Sequence, residues 1–129
     1  MMGATMSEMK QIKLSQGEGR TKIELRAFYL GGDLVVFIYN QNAHLGAVAV
    51  GEYDREEGRA SSSVITRLGH RDDEIAKRQA HLIAKHTKRP VCVISGVHLD
   101  NITSEEIDQI LAHASSLVNH LLNQLERQG

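Results

Sequence analysis

Residues 22–39 read KIELRAFYLGGDLVVFIY, and this stretch predicts the first hairpin of a β-sheet. Apolar and charged side chains alternate from Lys22 to Leu30, which is typical of an antiparallel strand with one buried face. Gly31-Gly32-Asp33 predicts a tight turn, and residues 34–39 form the continuous apolar run of a central strand. The sequence around this hairpin therefore has to supply more strands and a cover for the buried face.

Shorter apolar segments on both sides of the hairpin predict more strands. Ile12 and Leu14 indicate a first strand, residues 45–50 a fourth and residues 61–68 a fifth. Residues 52–59 are charged and contain glycine, so we expect an exposed loop there. Because the connections have hairpin length, these five strands are expected to form a meander.

The pattern changes to helical spacing after residue 70. Residues 71–87 predict a helix with three acidic residues (72–74) in the first turn and basic residues at the end, which complements the helix dipole. Pro90 ends this helix, and residues 91–94 predict a sixth strand. The segment between the fifth and sixth strands is long enough for a crossover connection.

The last helix has a well-defined start. Thr103 and Glu106 have the spacing of a capping box, and Ile102 and Ile107 that of a hydrophobic staple. An apolar stripe then continues to Leu125, over about 24 residues or roughly 36 Å. This exceeds what a small sheet needs, so we expect part of the stripe to meet a second subunit.

Length and composition bound the fold class. The chain has 129 residues, of which 41% are hydrophobic, as in ordinary globular proteins. We expect a disordered start over residues 1–8 and one α/β (α+β) domain over residues 9–129.

Charge and cysteine content limit the kinds of partner and the cellular compartment that we expect. Fifteen basic residues balance sixteen acidic ones, which argues against nucleic-acid or membrane-surface binding. No segment approaches the roughly 18 apolar residues of a membrane span. Cys92, the lone cysteine, lies in an apolar run, where we expect a buried, inert thiol in a reducing compartment. These features favour a cytoplasmic protein.

Three of the seven histidines lie at ends of predicted strands: His44, His70 and His98. Ligands tend to bind at such an edge where a sheet contains crossover units. The alternative is that each histidine only caps a helix or bonds a loop. The remaining four lie inside the predicted helices, where we expect solvated or edge-packed rings: His81, His86, His113 and His120.

Residues next to His70 suggest two kinds of ligand. Helix amides with Arg67 and Arg71 would suit an anion such as phosphate. The acidic residues 72–74 with His70 would instead suit a divalent metal ion or a proton relay. Both readings remain open from the residues alone. The sequence lacks a phosphate-binding loop, a metalloprotease motif, a nucleophile elbow and paired cysteines, so nucleophilic catalysis is disfavoured.

Four segments together resemble the bacterial prenylated-flavin chaperones, the LpdD-like proteins. They are the Gly31-Gly32-Asp33 turn with its strand, AHLGA at 43–47, GHRDDE at 69–74 and GVHLDNIT at 96–103. The resemblance covers about residues 9–125. This family is related in fold to the proteasome assembly chaperones.

The resemblance implies a mostly antiparallel sheet of about six strands with two helices on one face, in a homodimer. It also implies a non-catalytic role, in which prenylated flavin mononucleotide (FMN) is held and passed to a UbiD-type decarboxylase. Matching motifs carry the cofactor contacts over to His44, Gly69, His70, Arg71, Asp73, Glu74, His98 and Asp100. The rings expected to stack on the flavin are Phe28, Tyr29, Phe37, Tyr39 and Tyr53, although a histidine could replace one.

Two other functions stay open from the sequence. The first is a small metal-dependent enzyme with His44, His70 and His98 as ligands, since a catalytic zinc usually has three protein ligands. The second is a protein-assembly chaperone without a cofactor, with the long final helix as its contact surface.

Overall fold

The computed structural model describes residues 11–67 and 72–128. Its strands are β1 (Gln11–Gln16), β2 (Ile23–Leu30), β3 (Asp33–Tyr39), β4 (Ala47–Asp54), β5 (Arg59–Thr66) and β6 (Val91–Gly96). Its helices are α1 (Asp72–Thr87) and α2 (Ser104–Gln128), with a short 3-10 turn at Gly19–Thr21. The expected disordered start lies outside the described residues.

The six strands form one sheet in the order β1-β2-β3-β6-β4-β5. The predicted hairpin is confirmed, since β2 and β3 pair antiparallel around the 31–32 turn. The expected meander is wrong, because β6 lies between β3 and β4, parallel to the first and antiparallel to the second. The charged loop is also shorter than expected, because β4 and β5 pair as far as Asp54 and Arg59.

Both helices cover the same face of this sheet. Helix α2 packs on β1 and β2. Alternate side chains of β2, β3 and β6 point into the core between the sheet and the helices, and the fully buried residues include Ile23, Leu25, Val36, Val93 and Leu117. Helix α1 packs on β4, where the backbones approach closely: a Cβ on Gly51 would overlap the carbonyl oxygen of Ala80. The expected two-layer arrangement is therefore confirmed.

The other face of the sheet is not covered by the described residues, and we call it the open face. Its apolar and aromatic side chains from β3, β6 and β4 are Val35, Phe37, Tyr39, Val48, Val50, Cys92 and Ile94. Cys92 is half-buried rather than buried as expected, and desolvation raises the pKa of its thiol. Within residues 11–67 and 72–128, no helix is long and apolar enough to cross a membrane.

The capping box at the start of α2 is confirmed. The Glu106 amide donates to Thr103 Oγ1 (3.1 Å), and the Thr103 amide donates to Glu106 Oε1 (3.1 Å). Arg20, in the 3-10 turn, donates from Nε to Glu106 Oε2 (2.8 Å) and from Nη2 to the carbonyl of Asp100 (2.9 Å). These bonds link the β1–β2 loop to the β6–α2 loop and to the first turn of α2.

Hydrogen bonds from Arg20 and from the Thr103 amide lower the pKa of Glu106 from 4.5 to about 2. The lowered pKa means that the charged carboxylate stabilises the fold above pH 4.5, and that this stabilisation is lost as pH falls toward 2. Glu106→Gln is therefore expected to lower the melting temperature most above pH 5, with a smaller difference from wild type as the pH falls.

Thermal unfolding followed by circular dichroism from pH 7 to pH 2 tests this prediction. Glu105→Gln is the matched control, because Glu105 is an exposed residue of the same helical turn. A melting-temperature difference for Glu106→Gln that stays constant down to pH 2 would contradict the assignment.

Candidate functional site

A buried carboxylate connects three segments at one end of the sheet. Asp72, the first residue of α1, is 4% exposed. Its Oδ1 accepts hydrogen bonds from Ser95 Oγ and from the Val97 amide, both at 2.9 Å. A buried carboxylate is costly unless it is hydrogen-bonded, so these bonds fix the start of α1 against the end of β6.

His44 lies on the other side of this carboxylate. Its Nε2 is 3.6 Å from Asp72 Oδ2 and 3.3 Å from the carbonyl oxygen of Val97. The side chain is 21% exposed, so one edge of the imidazole faces solvent. The loop between β3 and β4 is thereby held against the segment that follows β6.

Asn40 binds the backbone of His98, another of the three predicted histidines. Its buried amide donates from Nδ2 to the carbonyl of His98 (2.8 Å) and accepts from the His98 amide at Oδ1 (3.2 Å). The His98 side chain is about half exposed, and its Nε2 is 3.0 Å from Asp100 Oδ1. The rings of His44 and His98 meet edge to face, with centroids 5.9 Å apart. These two histidines converge.

Two glycines permit this close packing. A Cβ on Gly46 would overlap the carboxylate of Asp72, and one on Gly96 would overlap the carbonyl oxygen of His44. Gly46 also donates from its amide to the carbonyl of Ser95 (3.0 Å), which joins the β3–β4 loop to β6. Glycine is therefore required at both positions by space rather than by backbone conformation.

Asp72, His44 and His98 form what we call the Asp72 cluster, and only some of the other predicted cofactor contacts lie beside it. Asp73 is half-buried, whereas Glu74 is exposed and lies 3.4 Å from Arg78 one turn further along α1. Asp100 is exposed beside His98. Gly69, His70 and Arg71 lie outside the described residues.

The described residues give no support to the hypothesis of a metal site. In residues 11–67 and 72–128, no group of three or more histidine, cysteine, aspartate or glutamate side chains could hold a metal ion. The proposed three-histidine set includes His70, which lies outside these ranges.

Two cavities flank the histidine pair, one on each face of the sheet. The open-face cavity measures about 570 Å³, and it is lined by Arg26, Phe28, Phe37, Ile38, Tyr39, Ala43, His44, Ile94 and Gly96. The helix-side groove measures about 320 Å³, and it lies beside His98 between the first turns of α1 and α2. Asp72 and Glu74 contribute acidic side chains to the groove, whereas Arg26 contributes a cation to the open-face cavity.

Arg26 is a site residue that sequence reasoning missed. It lies on the open face of β2, directly opposite Phe37 of β3. Its Nε is buried and has no hydrogen-bond partner among the described residues. Strand alternation assigned Arg26 to a solvated face, and only the adjacent aromatic residues of β3 could have signalled otherwise.

Three of the five rings expected to stack line the open-face cavity. Phe28 and Phe37 meet edge to face, with ring centroids 5.9 Å apart. Tyr39 is the last residue of β3 and pairs with Gly96, at the end of the sheet where His44 and His98 meet. Tyr29 instead packs against the core, and Tyr53 lies 5.8 Å from Lys88 Nζ on the helix-covered side.

The four helix histidines are edge-packed or solvated, as expected. His113 Nδ1 is 2.9 Å from the carbonyl oxygen of Thr21, and His86 Nε2 is 2.6 Å from Glu126 Oε1. His81 and His120 are exposed. Packing and solvation therefore account for all four.

The fold is similar to that of a solved protein structure. A chain of a chaperone complex for yeast 20S proteasome assembly matches with a TM-score of 0.60 and 15% sequence identity. The match covers 92% of this chain and 96% of that chain. At this identity the likeness shows the fold alone.

Sequence comparison gives the family. No curated protein matches the chain. The sequence-family model described as the prenylated flavin chaperone LpdD-like domain matches residues 17–126. This range includes the sheet from β2 onward, both cavities and the Asp72 cluster. The chain therefore belongs to the family of LpdD-like prenylated flavin chaperones.

Proposed function

We propose that this protein binds prenylated FMN at the histidine end of the sheet and delivers it to a UbiD-type decarboxylase. The observation that carries the proposal is the convergence of His44 and His98 around buried Asp72, within two segments of the matched domain. Imidazole nitrogens can donate to or accept from the cofactor without covalent chemistry. The role is binding and transfer rather than catalysis.

Further motif residues belong to the proposed site. Gly69, His70 and Arg71 directly precede Asp72 in sequence. Asp73 and Glu74 follow in the first turn of α1, and Asp100 faces His98. We propose these residues as further cofactor contacts, with delivery taking place in the cytoplasm, where a lone unpaired thiol is ordinary.

We also propose that the protein is a homodimer whose second copy packs on the open face. Val50 and Ile65 on this face are 46% and 78% exposed, and they flank half-buried Val48 and Ile94. Apart from Arg26 in the open-face cavity, charged residues of the face such as Lys13 on β1 and Glu52 near the end of β4 lie toward its margins. An apolar centre with a polar rim is the usual anatomy of a subunit interface.

Single histidine substitutions test the binding site. His44→Ala and His98→Ala are each expected to weaken the binding of prenylated FMN about tenfold, the loss expected for one hydrogen bond to a charged or strongly polar group. Anaerobic equilibrium titration of the reduced cofactor measures the effect, and activation of an apo-decarboxylase by the loaded protein measures delivery.

His120→Ala is the control for this titration, because His120 is an exposed histidine on α2. His98→Ala guards against a folding defect, since the His98 ring is half exposed whereas His44 contacts Asp72. Wild-type affinity in both site variants would contradict the proposed site.

Charge placed on the open face tests the dimer. Ile65→Asp and Val50→Asp are expected to give monomers, because each buries an unpaired carboxylate at the proposed interface. Sedimentation should give about twice the 14.3 kDa chain mass for wild type. Ala112→Asp on the exposed side of α2 is the control, and a monomeric wild-type protein would disprove the dimer.

A further inference from the structure

The open-face cavity has the features of a site for a flat aromatic ligand. Its volume of about 570 Å³ lies within the roughly 300–1,000 Å³ typical of small-molecule pockets. Phe28, Phe37 and Tyr39 line it from neighbouring strands, and Ile94 contributes an apolar side chain. Planar rings stack on such side chains with favourable offset or edge-to-face geometry.

Arg26 supplies the polar feature of this cavity. Its guanidinium carries several donors in one plane, and the buried Nε has no partner among the described residues. A buried donor without a partner costs free energy, so a ligand acceptor at this position would be favoured. Because Phe37 is the cross-strand neighbour of Arg26, a ring stacked in the cavity would bring its edge to the guanidinium.

Charge distinguishes this cavity from the helix-side groove. Arg26 makes the open-face cavity attractive to an anionic ligand, and His44 lines its end. The groove is lined by Asp72 and Glu74, whose carboxylates repel the phosphate of a flavin nucleotide but can accept hydrogen bonds from its donor groups. The two cavities are therefore not equivalent for FMN.

We infer that the flavin ring system binds in the open-face cavity, with its aromatic plane against Phe37 and Tyr39 and a ring acceptor hydrogen-bonded to Arg26. This inference rests on the proposed cofactor function and adds the face of the sheet and the residues that hold the rings. His44 lines this cavity, and its ring meets that of His98, which lines the helix-side groove.

Removal of the guanidinium tests the inference. Arg26→Leu is expected to weaken the binding of reduced prenylated FMN between tenfold and a hundredfold, roughly the loss of one charge-assisted hydrogen bond. Lys13→Leu is the matched control. Lys13 pairs with Arg26 across β1 and β2 but does not line the cavity, so its substitution removes one positive charge from the same face outside the site. Sedimentation of each variant verifies that its mass equals that of wild type.

Two further variants test the inference even if Arg26→Leu misfolds, one in an aromatic ring of the open-face cavity and one in the helix-side groove. Tyr39→Leu is expected to weaken binding several-fold, whereas Leu111→Ala in the helix-side groove should leave it unchanged. If wild type binds prenylated FMN but only Leu111→Ala weakens it, the ring site is overturned while the proposed function stands. If wild type binds no prenylated FMN, the proposed function itself fails.

Discussion

The buried carboxylate of Asp72 is the interaction on which this end of the molecule depends. It accepts hydrogen bonds from Ser95 and Val97 and faces His44, so it joins the start of α1, the end of β6 and the β3–β4 loop. A carboxylate that is 4% exposed cannot lose these partners without a large desolvation cost. The positions of both converging histidines follow, because His44 touches the carboxylate and His98 lies one residue beyond Val97.

A second constraint is that α1 and α2 cover one face of the sheet only. The core is closed on that face by the long stripe of α2 and by α1, which passes close to Gly51. The opposite face then presents apolar side chains at its centre and Arg26 with aromatic rings near the histidine end. This division gives one surface two proposed uses, a subunit contact around Val50 and Ile65 and a flavin site around Phe37.

Local features of the fold could be predicted from the sequence, whereas strand order could not. The 22–39 hairpin and the Thr103–Glu106 capping box depend on near neighbours, so alternation and spacing were sufficient. The insertion of β6 between β3 and β4 depends on contacts far apart in sequence, which periodicity does not encode. That insertion is what brings His98 to His44. Arg26 was missed for a related reason, since a charged residue in an alternating strand resembles a solvated one until its neighbours are known.

The most direct test of the account is a titration of the isotope-labelled protein with reduced prenylated FMN under anaerobic conditions, followed by amide chemical shifts. The account predicts that the largest changes fall in the β3–β4 loop around His44, in residues 96–98, and on β2 and β3 next to Arg26 and Phe37. Changes confined to the helix-side groove around Leu111, with the open face unaffected, would contradict it.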